Sequence, residues 1–324
     1  MRSNVLYTII VPVYNEEEVI QETYRRLTRV MESINEPYEL LFVNDGSRDQ
    51  TGEIISAFAR ADERIRLLDF SRNFGHQIAI TAGMDHARGN AIVIIDGDLQ
   101  DPPELIPQMI EKWREGYEVV YAQRTQRKGE TLFKKWTAAL FYRVLGTMSE
   151  VKIPVDTGDF RLIDRKVCDA LINIREKNRF VRGLVSWVGF RQTALEYVRE
   201  ERFAGETKYP LRKMLRFSLD GITSFSYKPL KLAMYLGFVV TSLSFVYLLI
   251  SLAQKLFTAS TSTGWAPLIA CLMFLNGVML VFFGILGEYI GRIYDESKNR
   301  PLYILRNQQQ VERTRLKEVK WVVH

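Results

Sequence analysis

The fold is decided by Ala91-Ile92-Val93-Ile94-Ile95-Asp96-Gly97-Asp98-Leu99-Gln100-Asp101-Pro102-Pro103. Five apolar residues run directly into a cluster of carboxylates. A short continuous run rich in Ile and Val reads as a strand buried on both faces, as in a parallel sheet. The carboxyl end of such a strand is where open α/β sheets bind ligands. Asp96 and Asp98 stand two residues apart, so on an extended backbone their side chains point the same way. Held close, the two anions repel, and a cation relieves them. A hard divalent ion with oxygen ligands fits, and Mg²⁺ commonly also holds substrate phosphates. Gly97 lets a ligand approach the backbone closely. The competing reading is a surface turn, because acidic residues and glycine often follow a strand.

Around this stretch the first half of the chain alternates strand and helix signals. Tyr7–Pro12 reads as a strand, and Glu16–Ser33 as a helix with an acidic first turn at its positive dipole end. Glu39–Asn44 is a second strand, Asp45–Asp49 a turn, and a helix follows to Ala61. Arg66–Phe70 is a third strand, His76–Ala87 a helix and Ala91–Asp96 the fourth strand. Pro103–Glu115 is a helix with proline near its start, and Glu118–Ala122 a fifth strand. This order predicts an α/β domain with a mostly parallel sheet covered on both faces. His76, after Asn73-Phe74-Gly75, reads as a helix-start residue; a loop contact to a ligand is the rival.

Charged residues make up 25% of the 324-residue chain, which excludes a disordered polymer. The formal net charge of +6 fits contact with phosphates or an anionic membrane surface. No basic block interleaves with aromatics on a nucleic-acid motif, so no nucleic-acid partner is expected. Cys168 and Cys271 form neither a disulfide framework nor a zinc spacing, which suits a reducing compartment. Met1-Arg2-Ser3-Asn4 leads into the first strand without the apolar region of a signal peptide.

The second half changes character. No residue is charged from Leu232 to Gln254, or from Leu256 to Gly287. Each stretch is long enough to cross a bilayer, which takes about 20 apolar residues. Spans are expected near Leu232–Leu252 and Ala266–Leu286; a buried soluble hairpin is the alternative. The link between them carries only Lys255. Lys228 and Lys231 precede the spans, and Arg292, Lys298, Arg300 and Arg306 follow. The excess of cations on the flanks predicts a multi-pass cell-membrane protein with both ends cytoplasmic and the Lys255–Gly264 loop outside. Thr131–Met148 and Leu211–Tyr227 mix apolar and basic residues. Both read as interfacial helices, or as helices packed on the sheet. The expected division is a catalytic domain over 1–210, an interfacial helix over 211–230, two spans within 231–290 and a basic tail over 291–324.

Four segments would meet at the carboxyl edge of the sheet: Val11-Pro12-Val13-Tyr14-Asn15-Glu16, Val43-Asn44-Asp45-Gly46-Ser47, Asp96–Asp98 and Asp156-Thr157-Gly158-Asp159-Phe160-Arg161. In order and spacing they resemble family-2 glycosyltransferases of the GT-A fold. The resemblance runs across roughly residues 5–230. It is nearest to the polyprenyl-phosphate glycosyltransferases, which include dolichyl-phosphate mannose synthases and GtrB-type bactoprenol glucosyltransferases. The two spans match the GtrB-type branch in number and position.

Side-chain chemistry and that resemblance together imply a donor site for a nucleotide sugar. Its expected residues are Pro12, Tyr14, Glu16, Val43, Asp45, Asp96, Arg124, Arg202 and Lys208. Tyr14 would flank the base, Asp45 would accept from base or ribose, and Glu16 from ribose hydroxyls. Asp96 would face the donor, Asp98 would be the catalytic metal ligand in chief, and Asp96 and Gln100 would complete the site for Mg²⁺ or Mn²⁺. Arg124 would reach the phosphates. Arg202 and Lys208 resemble the family's mobile loop over the diphosphate, where Arg binds bidentately and Lys as a point charge. Asp159 resembles the family's proposed base, with Asp156 as the rival carboxylate. Lys135, Arg143 and Arg212 are candidates for the acceptor phosphate.

The implied reaction is inverting transfer of one sugar, with UDP-glucose as the best-matched donor and undecaprenyl phosphate as acceptor. Mannose, N-acetylglucosamine and modified sugars stay open. A phosphate monoester has a second pKa of about 6, so the acceptor is already an anion and needs no strong base. Asp159 is therefore expected to orient groups at least as much as to take a proton. The bilayer is the expected partner, because moving a polyprenyl tail out of it costs about 0.8 kcal/mol per CH₂. A homo-oligomer is compatible with the sequence. A processive polysaccharide synthase would carry a Gln-x-x-Arg-Trp signature and more spans; Arg182–Trp187 only loosely echoes it. Asp96, Asp98, Arg202 and Lys208 argue against a non-catalytic scaffold. A dinucleotide oxidoreductase would need Gly-x-Gly-x-x-Gly after the first strand, and none is present.

Overall fold

A computed structural model describes residues 5–124, 157–198 and 265–306, with 230, 235–240, 242, 243, 246 and 250 between them. Seven strands form one sheet: β1 (Tyr7–Val13), β2 (Tyr38–Asn44), β3 (Ile65–Asp69), β4 (Ala91–Ile94), β5 (Val119–Arg124), β6 (Thr157–Asp164) and β7 (Gln192–Tyr197). Their spatial order is β3-β2-β1-β4-β6-β5-β7. Only β6 runs against its neighbours, β4 and β5; the other pairings are parallel. This is the mixed, mostly parallel α/β sheet expected of a GT-A fold.

β1 and β2 are buried along their whole length, as their continuous apolar runs require. Successive residues serve opposite faces. Ile9 and Val11 join one core cluster with α1 (Ile20–Ile34), α2 (Thr51–Ala61) and α4 (Ile106–Arg114). Ile10 joins the other with α3 (His76–His86), α5 (Arg165–Asn173) and α6 (Val181–Trp187). α1 buries Ile20, Leu27, Val30 and Met31 on one stripe. It stops at Asn35, whose φ of 56° is a left-handed conformation that asparagine tolerates.

Most expected elements are present with shifted ends. α1 starts at Ile20 rather than Glu16, because residues 17–19 form a turn. A 3₁₀ turn at Pro103–Leu105 precedes α4. β6, α5, α6 and β7 lie beyond the elements the pattern predicts. β6 hides because charged residues interrupt it: Asp159 and Arg161 are both buried inside the sheet.

Residues 235–240, within the first expected span, are helical. α7 (Trp265–Ser297) covers the second and continues past its apolar end at Leu286. Its Cys271–Ser297 stretch is long and apolar enough to cross a membrane, and its most apolar window is not buried inside the protein. Within the expected basic tail, residues 301–306 return to the sheet. Ser71 N–H donates to Ile304 O at 2.9 Å, Arg306 N–H donates to Asp69 O at 2.7 Å, and Phe70 bridges Leu305 antiparallel. The helices expected over Thr131–Met148 and Leu211–Tyr227 lie outside the described residues.

Candidate active site

The antiparallel β6 brings the fourth segment to the carboxyl edge. Ile94 faces Arg161 in register, so Asp159 falls opposite the residues that follow β4. Ile95 N–H donates to Ile10 O at 3.0 Å, and Asp96 is the next residue out. Asp96 and Asp98 are not on an extended backbone, however. β4 ends at Ile94, Gly97 and Asp98 form a turn, and Leu99 has φ 56°. Side-chain alternation therefore does not place the two carboxylates. The turn does, with Asp98 Oδ1 accepting Gln100 N–H at 3.1 Å. Packing also favours glycine at 97. A Cβ there would stand 2.8 Å from Val13 Cγ1, and Gly97 O accepts from Thr23 Oγ1 at 2.8 Å.

Asp159 is the most heavily engaged carboxylate. Arg182 on α6 grips it bidentately, Nε to Oδ1 and Nη2 to Oδ2, both at 2.8 Å. His76 Nε2 lies 3.2 Å and Gln77 Nε2 3.3 Å from Oδ2. Gln77 Oε1 in turn accepts Val181 N–H at 2.9 Å, which fixes the start of α6. Arg161 donates to the carbonyls of Gly158 and Asp159. Burial opposes ionisation of Asp159, but Arg182 and His76 overcome it and hold the carboxyl well below its usual range. Burial lowers Arg161 to about 10.

His76 is the helix-start residue its sequence context indicates, and its ring also joins the two acids. Nε2 stands 3.4 Å from Asp96 Oδ1 as well as 3.2 Å from Asp159. Burial disfavours its protonation, yet Asp96 and Asp159 lift it to about 9. Burial pushes Asp96 up to about 6, with Asp159 and Asp98 adding repulsion against the pull of His76. Among the described residues, Asp96 Oδ1 accepts no hydrogen bond.

On the other side of β1 lies the expected nucleotide edge. Asp45 is only 3% exposed. Its Oδ1 accepts Phe74 N–H at 2.7 Å, and its Oδ2 accepts Gly75 N–H at 3.0 Å. Gly46, at φ 66°, is irreplaceable here, since a Cβ would meet the Arg72 backbone at 2.4 Å. Two loops are laced together beside it: Asn15 N–H donates to Ser47 Oγ, Glu16 N–H to Thr51 Oγ1 and Arg48 N–H to Asn15 Oδ1. Tyr14 stands 37% exposed at this rim. Pro12 is buried and in register with Val43, whose side chain belongs to the core, so only its backbone is left for a ligand.

Arg124 ends β5 at the same edge. Its Nε donates to Tyr197 Oη at 3.0 Å, and its Nη2 lies 3.5 Å from buried Asp101. Tyr197 also donates to Asp101. Asp101, Arg182, Gln77 and Tyr197 are the participants that sequence reading missed. Asp101 sits inside the deciding stretch, and Arg182 inside the segment set aside as an echo of a synthase signature. Arg202, Lys208, Lys135, Arg143, Arg212 and Asp156 lie outside the described residues.

Among the described residues no three His, Cys, Asp or Glu side chains group as a metal cage. A Mg²⁺-type site needs fewer, since one or two carboxylates plus substrate phosphates suffice. Asp96, with a buried oxygen that accepts no hydrogen bond among the described residues, and Asp98 beside it fit that donor set.

Residues 8–172 match glycosyl transferase family 2, and residues 228–293 match the GtrB C-terminal hairpin. The uncharacterized glycosyltransferase YkcC of Bacillus subtilis is 64% identical over 98% of each chain. The bactoprenol glucosyl transferase of Shigella phage SfV is 44% identical over 94% of this chain and 99% of its own. A glucosyl-3-phosphoglycerate synthase from Mycobacterium tuberculosis, solved with Mn²⁺, UDP and phosphoglyceric acid, is 19% identical, with a TM-score of 0.44 over 68% of this chain and 78% of that one. The chain belongs to glycosyl transferase family 2 and is a glycosyltransferase that carries the GtrB-type C-terminal hairpin.

Proposed function

We propose that the protein transfers one glucose from UDP-glucose to undecaprenyl phosphate, with inversion, at the cytoplasmic face of the cell membrane. The observation that carries this reading is full-length similarity to a bactoprenol glucosyl transferase, hairpin included. The site agrees with it chemically. Asp96, Asp98 and Gln100 would hold Mg²⁺ or Mn²⁺, which when bound neutralises charge on the leaving diphosphate. Tyr14 and Glu16, with the Pro12 and Val43 backbones, would cradle the nucleoside, and Asp45 would serve it through the Phe74–Gly75 loop that it holds. Arg124, Arg202 and Lys208 would bind its phosphates.

In the reaction, an oxygen of the lipid phosphate bonds to the anomeric carbon from the face opposite UDP. The carbon–oxygen bond to UDP breaks, and UDP departs with the electron pair. No proton need be removed from an acceptor already ionised near neutral pH. Asp159 is the residue whose role this changes. Both its oxygens already accept from Arg182, and His76 and Gln77 crowd one of them. It acts as an anionic post that sets Arg182 and His76 around the reacting carbon, rather than as a base. Lys135, Arg143 and Arg212 would meet the acceptor phosphate, and two spans with both ends cytoplasmic would keep the site at the bilayer.

The test is partition of label. Purified protein in undecaprenyl-phosphate vesicles is given radiolabelled UDP-glucose, UDP-N-acetylglucosamine or GDP-mannose, with and without chelator. Metal-dependent passage of glucose into the organic phase is the expected result. Label from another donor would reassign the sugar, and no lipid-linked label from any of them would end the reading.

A further inference from the structure

The chain returns from α7 through Asn299, at φ 45°, and Pro301. A cavity of about 730 Å³ opens where the end of α7 meets the ends of α3 and α5, lined in part by Asp85, Arg175, Lys177 and Glu296. The connection across this junction rests on the Lys177 contacts to Glu296 and Arg300 and on the strap at residues 301–306. Tyr303 is the strap's central contact. Its ring stacks on Phe70, with centroids 5.3 Å apart at 13°. Phe70 meets Phe74 edge-on at 5.6 Å. The Tyr303 hydroxyl lies 3.0 Å from Asp85 Oδ2 and 3.2 Å from His86 Nε2, at the far end of α3.

Tyr303 therefore touches both approaches to one unit. That unit is the loop from Phe70 to Gly75 together with the helix that His76 begins. Phe74 and Gly75 donate their N–H groups to Asp45, and His76 stands between Asp96 and Asp159. We propose that Tyr303 is a positioning residue for the donor site: stacked on Phe70, it fixes the Phe70–Gly75 loop and thereby the placement of Asp45 and His76. The segment that leaves the membrane helix is thus part of what shapes the nucleotide edge. The proposal rests on the reading that this edge binds a nucleoside diphosphate.

The experiment uses full-length protein in lipid nanodiscs with Tyr303→Ala, Tyr303→Leu and Tyr303→Phe. It reads hydrogen exchange at the Phe74 and Gly75 amides, and UDP affinity in the presence of Mn²⁺. Tyr303→Ala is expected to speed exchange at both amides and to weaken UDP by about fivefold, the low end for coupled elements. Tyr303→Phe keeps the stack and should restore both readouts. Tyr303→Leu keeps apolar filling without the stack, so it decides the matter should the alanine variant fail to fold. Ile110→Ala, in the core of the opposite face, is the control for general destabilisation. If Tyr303 variants lose thermal stability but match Ile110→Ala in exchange and UDP affinity, the proposal is overturned. Failure of the wild type to bind UDP would strike the donor reading alone, and the exchange comparison would still decide the loop.

Discussion

Asp45 and Asp96 occupy equivalent places and do opposite things. Each follows a parallel strand that flanks β1, and burial raises both carboxyls. Asp45 is 3% exposed and spends its oxygens on the Phe74 and Gly75 amides. The Asp96 side chain keeps 31% exposure and has an oxygen that accepts no hydrogen bond among the described residues. A buried carboxylate with its hydrogen bonds made holds a loop in place. One left short of hydrogen bonds, with the His76 ring 3.4 Å from it, still has lone pairs for a metal cation, which is how a binding site differs from a structural clamp.

Asp96→Asn tests the open half of that comparison and should have the largest effect. Loss of an anionic ligand for the divalent ion that would neutralise the diphosphate is expected to cut transfer by at least about a hundredfold. Melting without metal should change little, because relief of a charge short of hydrogen bonds offsets loss of its ion pair with His76. A clear drop in melting temperature with activity kept would place Asp96 beside Asp45 as a clamp. Arg182→Lys should come next. Lysine keeps the charge but cannot grip both Asp159 oxygens, so turnover should fall about tenfold or more while UDP affinity holds. Equal loss in both would tie Arg182 to donor binding. Asp45→Ala then tests the closed half. Two half-buried amides lose their acceptor, so denaturant unfolding should show a loss of about 1–2 kcal/mol. Unchanged stability with loss of UDP affinity would make Asp45 a ligand group first.

Much of this was legible from periodicity. The apolar runs of β1, β2 and β4 place the edge of the sheet, and the acids that follow them mark it. The parts that escaped are those where polarity sits inside. Asp159 and Arg161 break the apolar pattern of β6, yet the strand forms because Arg161 pairs with Asp159 and the Gly158 carbonyl, and Asp159 with Arg182 and His76. The grip of Arg182 on Asp159 spans 23 residues with no local spacing to betray it. Gly97 reads as room for a ligand, and its close packing on Val13 is a second demand that the sequence pattern does not show. The strap at residues 301–306 is too short for a period to register, and its partner strand lies more than two hundred positions earlier.

A third carboxylate sharpens the comparison by the smallest step. Asp101 follows the same turn as Asp98 yet is 1% exposed, with Tyr197 donating to it and Arg124 beside it. Tyr197→Phe removes one neutral donor and leaves the arginine. If Asp101 is a clamp like Asp45, the variant should lose about 1 kcal/mol in denaturant unfolding, with transfer at saturating substrates close to wild type. The hydroxyl also receives the Arg124 Nε hydrogen bond, so its removal frees the guanidinium to turn. A fall in UDP affinity with no loss of stability would mean that Tyr197 serves Arg124 rather than Asp101. It would move this cluster from the closed class of acids to the side of Asp96, where charge is held ready for a ligand.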